Sequence, residues 1–113
     1  MALDPEKSYH ISLLIDFYGE LLSERQREIM DYYYSEDLSL SEVSALTGIT
    51  RQGVRDAIRR SEKLLSETEE KLGLVARFSA QKEDLRYIVC RLEEIQKRGE
   101  AVDDIISRAR KLL

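Results

Sequence analysis

Apolar side chains recur three and four residues apart along nearly the whole of this chain, and that spacing predicts helices and no strands. From Glu6 to Leu22 the positions Ile11, Leu14, Ile15, Tyr18, Leu21 and Leu22 share one face of a first helix, with Asp4 or Ser8 as its cap. Ser23, followed three residues on by Gln26, has the spacing of a reciprocal cap and opens a second helix through Tyr34, with Ile29, Met30 and Tyr33 inward. Tyr32, Tyr33 and Tyr34 are consecutive, so a helix points them in different directions and they cannot form one stacking platform for bases; at least one belongs in the core.

The stretch Leu38 to Leu65, LSLSEVSALTGITRQGVRDAIRRSEKLL, holds two helical patterns joined by a turn of three or four residues. Ser41 caps the first, which runs from Glu42 to Thr47. Gly48 ends it, because glycine takes positive φ without a Cβ clash, and Ile49 fills the gap between the helices. Thr50 restarts the helix. No proline follows, and Val54, Ala57, Ile58, Leu64 and Leu65 mark the apolar face of a long second helix that ends near Leu72, with Gly73 as its stop. The expected core of this helix-turn-helix is Leu46, Ile49, Val54 and Ile58.

After Gly73 a seam of Leu74, Phe78, Gln81, Leu85, Ile88, Leu92, Ile95, Gly99, Val102, Ile106, Ala109 and Leu113 alternates four and three residues apart, as in a heptad repeat. Lys97 and Arg98 before Gly99, and Asp103 and Asp104 after it, suit a helix end and a new helix start, so the seam should break there. Periodicity alone does not separate a seam folded onto the chain's own core from one paired with a second copy; the narrow, regular stripe favours a homodimer. The expected organisation is 1–73 for the first helices and the helix-turn-helix, and 74–113 for a C-terminal helical extension, the two forming one compact unit.

Composition agrees with an all-α fold: of 113 residues 42% are apolar and 35% charged, and proline occurs only at Pro5. There is no run of 18 apolar residues, and the opening MALDPEKSYH lacks the basic-then-apolar layout of a secretory signal; a cytoplasmic protein without membrane insertion is expected. The single cysteine, Cys90, has no partner for a disulfide or metal and is expected as a small core residue. His10 and Ser12 have no acid–base partner at a useful spacing. With no phosphate-binding glycine loop, ligand cluster or nucleophile–base pair, neither an enzyme, a cofactor nor a small-molecule substrate is expected.

Charge changes the picture more. The net charge is −4, which disfavours indiscriminate binding to nucleic acid, but it is unevenly spread. Residues 1–49 carry three basic side chains against ten acidic ones, whereas from Thr50 to Lys63 there are five basic and two acidic. In a helix-turn-helix the start of the second helix faces the major groove, so Thr50, Arg51, Gln52, Arg55 and Arg59 are the candidate contacts to DNA or RNA. Arg51, Arg55 and Arg59 fall four apart on one face. The competing reading is a solvated charged face on a helix that only packs a core.

The run from Leu22 to Leu65 resembles region 4 of sigma factors: Ser23 to Arg27 with Tyr32 and Tyr33 match its first-helix pattern, and LSLSEVSALTGITRQGV matches its helix-turn-helix. Taken whole, with the opening ISLLIDFYGELLSERQREIMDYYYSEDLSLSE, the chain resembles the YlxM family of helix-turn-helix proteins from Gram-positive bacteria. The resemblance implies a trihelical core, a regulatory role and a part in the signal recognition particle (SRP) pathway. It also implies that Arg51, Gln52 and Arg55 stand where sigma-type proteins contact DNA, with Thr50 capping. Two positions depart from that pattern. Gly53 should cost about 1 kcal/mol of helix stability relative to alanine, and Asp56 stands where a polar base-reader is common but could accept only from cytosine N4. Two functions therefore compete: a nucleic-acid-binding regulator acting through the arginines, and a non-enzymatic adaptor whose acidic first helices dock on the SRP GTPase or its receptor.

Overall fold

The computed structural model describes residues 4–99 and 102–113, and among these every regular element is helical. Helix α1 (Pro5–Tyr18) starts on the expected Asp4 cap, whose carboxylate accepts from Glu6 N at 3.1 Å, with proline at the first position, where no N–H is needed. It ends in a 3₁₀ turn (Gly19–Leu21) that takes Leu21 off the predicted face: Leu22 is buried but Leu21 is exposed. Helix α2 (Glu24–Met30) has the capping box predicted from Ser23 and Gln26, each side chain accepting from the other residue's backbone N–H.

The chain then departs from a regular α-helix. Asp31–Ser35 form a π-helical turn, closed by Glu36 N donating to Asp31 O at 3.0 Å. The wider turn spends one extra residue before returning to the core, so the inward position passes from Tyr33, which is half-buried, to Tyr34, which is buried. Tyr34 donates its hydroxyl to the Glu62 carboxylate and packs edge-to-face on Tyr33 with ring centroids 5.0 Å apart.

Helix α3 (Leu40–Thr47) begins two residues earlier than the sequence suggested. Its cap is Ser39, not Ser41, and a second capping box joins Ser39 to Glu42. Leu38 before the cap and the buried Val43 at the fourth helical position form the apolar pair that sets the chain's entry angle. With that phase, the stripe facing the core is Leu40, Val43, Ser44 and Thr47, and Leu46 lies outside it, 59% exposed rather than buried. Gly48 closes the helix in the left-handed region at φ 75°, as expected.

Helix α4 (Arg51–Leu72) is capped by Thr50, whose hydroxyl accepts from Gly53 N at 3.0 Å, and it buries Val54, Ile58, Ser61 and Leu65, while Leu64 stays exposed. It stops at Gly73, again left-handed with φ 64°. Residues 4–75 form one compact unit around Ile11, Leu14, Ile15, Tyr18, Ile29, Met30, Val43, Val54, Ile58 and Leu65. The unit is tied at its far end: Tyr18 donates its hydroxyl to Glu69 at 2.6 Å and accepts from Leu74 N at 3.2 Å, and Glu69 also accepts from Val75 N at 3.0 Å. Two amides at the start of the next helix, which a helix leaves unpaired, are satisfied in this way.

Helix α5 (Leu74–Lys97) carries the chain into a second compact unit, residues 76–113. It breaks at Gly99, left-handed at φ 89°, and α6 (Asp103–Lys111) folds back along it: Arg110 binds Glu93, and Gln96 donates to Asp103. The apolar residues buried in this hairpin are Val89, Ile106 and Ala109. Cys90 is exposed, contrary to the core position expected, because it projects from the flank of α5 away from Val89.

Candidate nucleic-acid interface

The turn between α3 and α4 is shaped by Gly53. A Cβ placed there would lie 2.6 Å from Cγ2 of Ile49 and 3.2 Å from Oγ1 of Thr50, so the missing side chain lets Ile49 pack directly on the first turn of α4. Ile49 is half-buried against the core, filling the predicted gap. The α3 end is held from outside by Arg25, which donates to Thr47 O at 3.3 Å. Gly53 is thus a close-approach residue, and the helix-propensity cost assigned to it from sequence is outweighed by what a larger residue would displace.

On this turn the first residues of both helices line one groove of about 940 Å³. Its walls are Tyr33 and Asp37 to Glu42 on one side and Thr50, Arg51, Gln52 and Arg55 on the other. Four of the five residues singled out by sequence therefore come together, and Arg59, one turn further along α4, is exposed outside the groove. The two helix starts are not equivalent. That of α3 is already occupied by its own acid: Ser39 N donates to Glu42, and this backbone bond, with the Ser39 hydroxyl second, holds the Glu42 carboxyl below its ordinary pKa. At α4 the cap is a neutral hydroxyl, the first turn has no acidic residue, and Arg51 and Arg55 stand beside it. An anion meets positive potential at α4 and a carboxylate at α3.

Arg51, Arg55 and Arg59 are all exposed, and among the described residues none of them makes an ion pair. Gln52 is different. Its amide donates to Asp56 Oδ1 at 3.0 Å along the helix, so it is restrained, and Asp56 orients it rather than standing as an independent reader. Sequence reasoning missed Ser39, Ser41 and Tyr33 as part of the same surface. The Ser39-to-Glu42 spacing was the available signal, since it fixes which residue begins α3. Among the described residues no group of acidic, histidine and cysteine side chains is arranged to hold a metal ion, and no helix is long and apolar enough to cross a membrane.

A family model described as "Putative helix-turn-helix protein, YlxM / p13 like", UPF0122, matches residues 5–105. A UPF0122 protein of Desulforamulus reducens is 43% identical over 100 residues, covering 88% of this chain and 85% of the relative. One from Symbiobacterium thermophilum is 45% identical over 103 residues, covering 91% and 88%, and one from Acetivibrio thermocellus is 43% identical over 99 residues, covering 88% and 85%. The match runs from α1 through α5 into the start of α6 and includes the whole α3–turn–α4 unit with its basic second helix; the chain belongs to the UPF0122 family of YlxM/p13-like helix-turn-helix proteins.

Proposed function

We propose that this protein is a regulator that binds nucleic acid, DNA first, through the start of α4. Arg51 and Arg55 make the primary contacts, Arg59 extends them along the backbone, and Gln52, held by Asp56, presents its remaining amide hydrogen and carbonyl oxygen to a base edge. Thr50 fixes the helix start. The observation that carries this reading is the set of three exposed guanidinium groups on one face of α4, free of ion pairs, in a chain whose net charge is −4. Unpaired cations on the helix that a helix-turn-helix lays in the major groove suit phosphate and base-edge contacts. Binding measured over a salt series tests it. Arg55→Ala should lower the slope of log affinity against log salt by about 1 if Arg55 meets a phosphate, or cost about 1 to 3 kcal/mol if it reads a base. If Arg51→Glu with Arg55→Glu binds every nucleic acid as the parent does, recognition does not run through α4.

A second reading rests on the other end of the charge distribution. Glu24 is exposed at the start of α2 and among the described residues makes no ion pair, and residues 1–49 hold ten acidic side chains to three basic ones. That surface suits an adaptor docking on a basic protein, with the SRP GTPase or its receptor as the partner in the cytoplasm; Glu24→Lys with Glu28→Lys should then abolish capture of that protein and leave nucleic-acid binding intact. In both readings the working form is a homodimer joined through the C-terminal unit.

A further inference from the structure

The C-terminal hairpin leaves part of its apolar surface uncovered, and the residues around that surface define what fits it. Helix α6 lies on one flank of α5, where Val89 is buried and where Glu93 and Gln96 meet Arg110 and Asp103. The heptad stripe beside it is not closed by α6. Leu85, Leu92 and Ile95 remain half-buried, Ile88 is 46% exposed, and the polar Gln81 continues the row. A stripe with strict four-three spacing is matched by another stripe of the same period, because an undistorted surface helix drifts away from a 3.5-residue repeat within a few turns. Among the described residues α4 has a row of the same spacing, Val54, Ile58, Ser61 and Leu65, but it is buried in its own unit, and Ile106 and Ala109 of α6 are buried in the hairpin; the long row left partly uncovered is that of α5, and the surface that matches it is another copy of α5.

Charge then selects the direction. The flank of the stripe away from α6 carries Arg77, Asp84 and Arg91, all exposed. In a parallel pair, residues on this flank face those on the opposite flank five positions further on. That sets Arg77 against Lys82, two like charges, and Asp84 against the apolar Val89. In an antiparallel pair the same flank meets itself. With Leu85 layered on Ile88 of the other copy, and Leu92 on Gln81, the two-fold symmetry brings Asp84 of each chain to Arg91 of the other, twice. Among the described residues Arg91 pairs with its surface neighbour Glu94 at 3.2 Å, an exposed pair that can be exchanged at little cost. A register that instead joins Asp84 to Arg77 leaves Leu92 and Ile95 without a partner stripe.

We propose that α5 pairs with α5 of a second copy in antiparallel fashion, on the face formed by Leu85, Ile88, Leu92 and Ile95, with Asp84 and Arg91 setting the register as reciprocal ion pairs. This rests on the homodimer reading above and adds its geometry; it is independent of what α4 binds. Sedimentation of the full chain across a concentration series tests it. The parent should dimerise, and Ile88→Asp should be monomeric. Asp84→Arg and Arg91→Asp should each weaken the dimer about tenfold, since each replaces two attractions by two repulsions, and Asp84→Arg combined with Arg91→Asp should restore parental affinity. Circular dichroism of each variant should match the parent, because these positions are exposed. A parent that stays monomeric overturns the dimer itself. A dimer that ignores the single changes, or is not rescued by the pair, overturns the antiparallel register and leaves self-association standing.

Discussion

Gly53→Ala separates two opposite expectations. By helix propensity alone the change should stabilise α4 by about 1 kcal/mol. In the structure the new Cβ would sit 2.6 Å from Cγ2 of Ile49, about 1 Å inside ordinary carbon–carbon contact. Relief is not available from a flexible chain end: that carbon branches directly from the Cβ of Ile49, whose χ1 is stiff, and the backbone just before it is set by Gly48 in the left-handed region. Overpacking of this kind costs up to about 3 kcal/mol, so the net effect should be a loss of about 1 to 2 kcal/mol, or a fall in melting temperature of roughly 4 to 16 °C for a unit of this size. Urea titration gives the free energy directly. Ile49→Ala removes the obstructing carbon, so in that background Gly53→Ala should be neutral or stabilising, and the coupling between the two changes should be about 1 to 3 kcal/mol. A parental Gly53→Ala that melts higher than the unmodified protein would refute the close approach.

Val43 is fully buried and Leu46 is 59% exposed, so Val43→Ala should cost about 2 to 3 kcal/mol and Leu46→Ala less than about 0.5, read from the same denaturation curves. Glu42 has its pKa lowered by its bonds to Ser39, so its contribution to stability is present at neutral pH and is lost as pH falls below the ordinary glutamate range; Glu42→Gln, which keeps the acceptor, should show a shallower acid limb in a stability-against-pH profile. Burial and then the Glu69 and Glu62 carboxylates raise the phenols of Tyr18 and Tyr34, whose protonated forms therefore stabilise the fold fully below the ordinary tyrosine value of about 10 and less as pH climbs above it. Ultraviolet titration should show these two ionising above the ordinary tyrosine value, and Tyr34→Phe should remove one group from that late step.

The features legible in the sequence are those set by a few neighbouring residues. Gly48, Gly73 and Gly99 each end a helix with positive φ, and Asp4, Ser23 and Thr50 each cap one, because caps and stops depend on local backbone chemistry. What escaped was phase. A π turn at Asp31–Ser35 adds one residue and exchanges Tyr33 for Tyr34 in the core, and on α3 the face turned to the core runs through Leu40, Val43 and Thr47, leaving Leu46, about 100° round from Thr47, outside it. Both errors are a fraction of a helical turn, yet burial is decided by just such fractions. At the candidate interface the positions of Thr50, Arg51, Gln52 and Arg55 were readable from the motif. The Gln52–Asp56 bond and the steric need for Gly53 were not, because both depend on side-chain geometry.

The tie between Tyr18 and Glu69 joins residues 51 apart in the chain, and it bears on the order in which the protein is made. At a translation rate of about 5 to 20 residues per second, roughly 3 to 10 seconds pass between synthesis of Tyr18 and of its acceptor. For about the first two-thirds of that interval no residue of α4 has been made, and Ile11, Leu14 and Ile15 lack its cover until Leu65 and the start of α5 follow. Helix α1 is therefore synthesised well before the elements that seal it. A ribosome stalled before Val75 has cleared its exit would carry an open, protease-sensitive chain, and one stalled well beyond it a closed one.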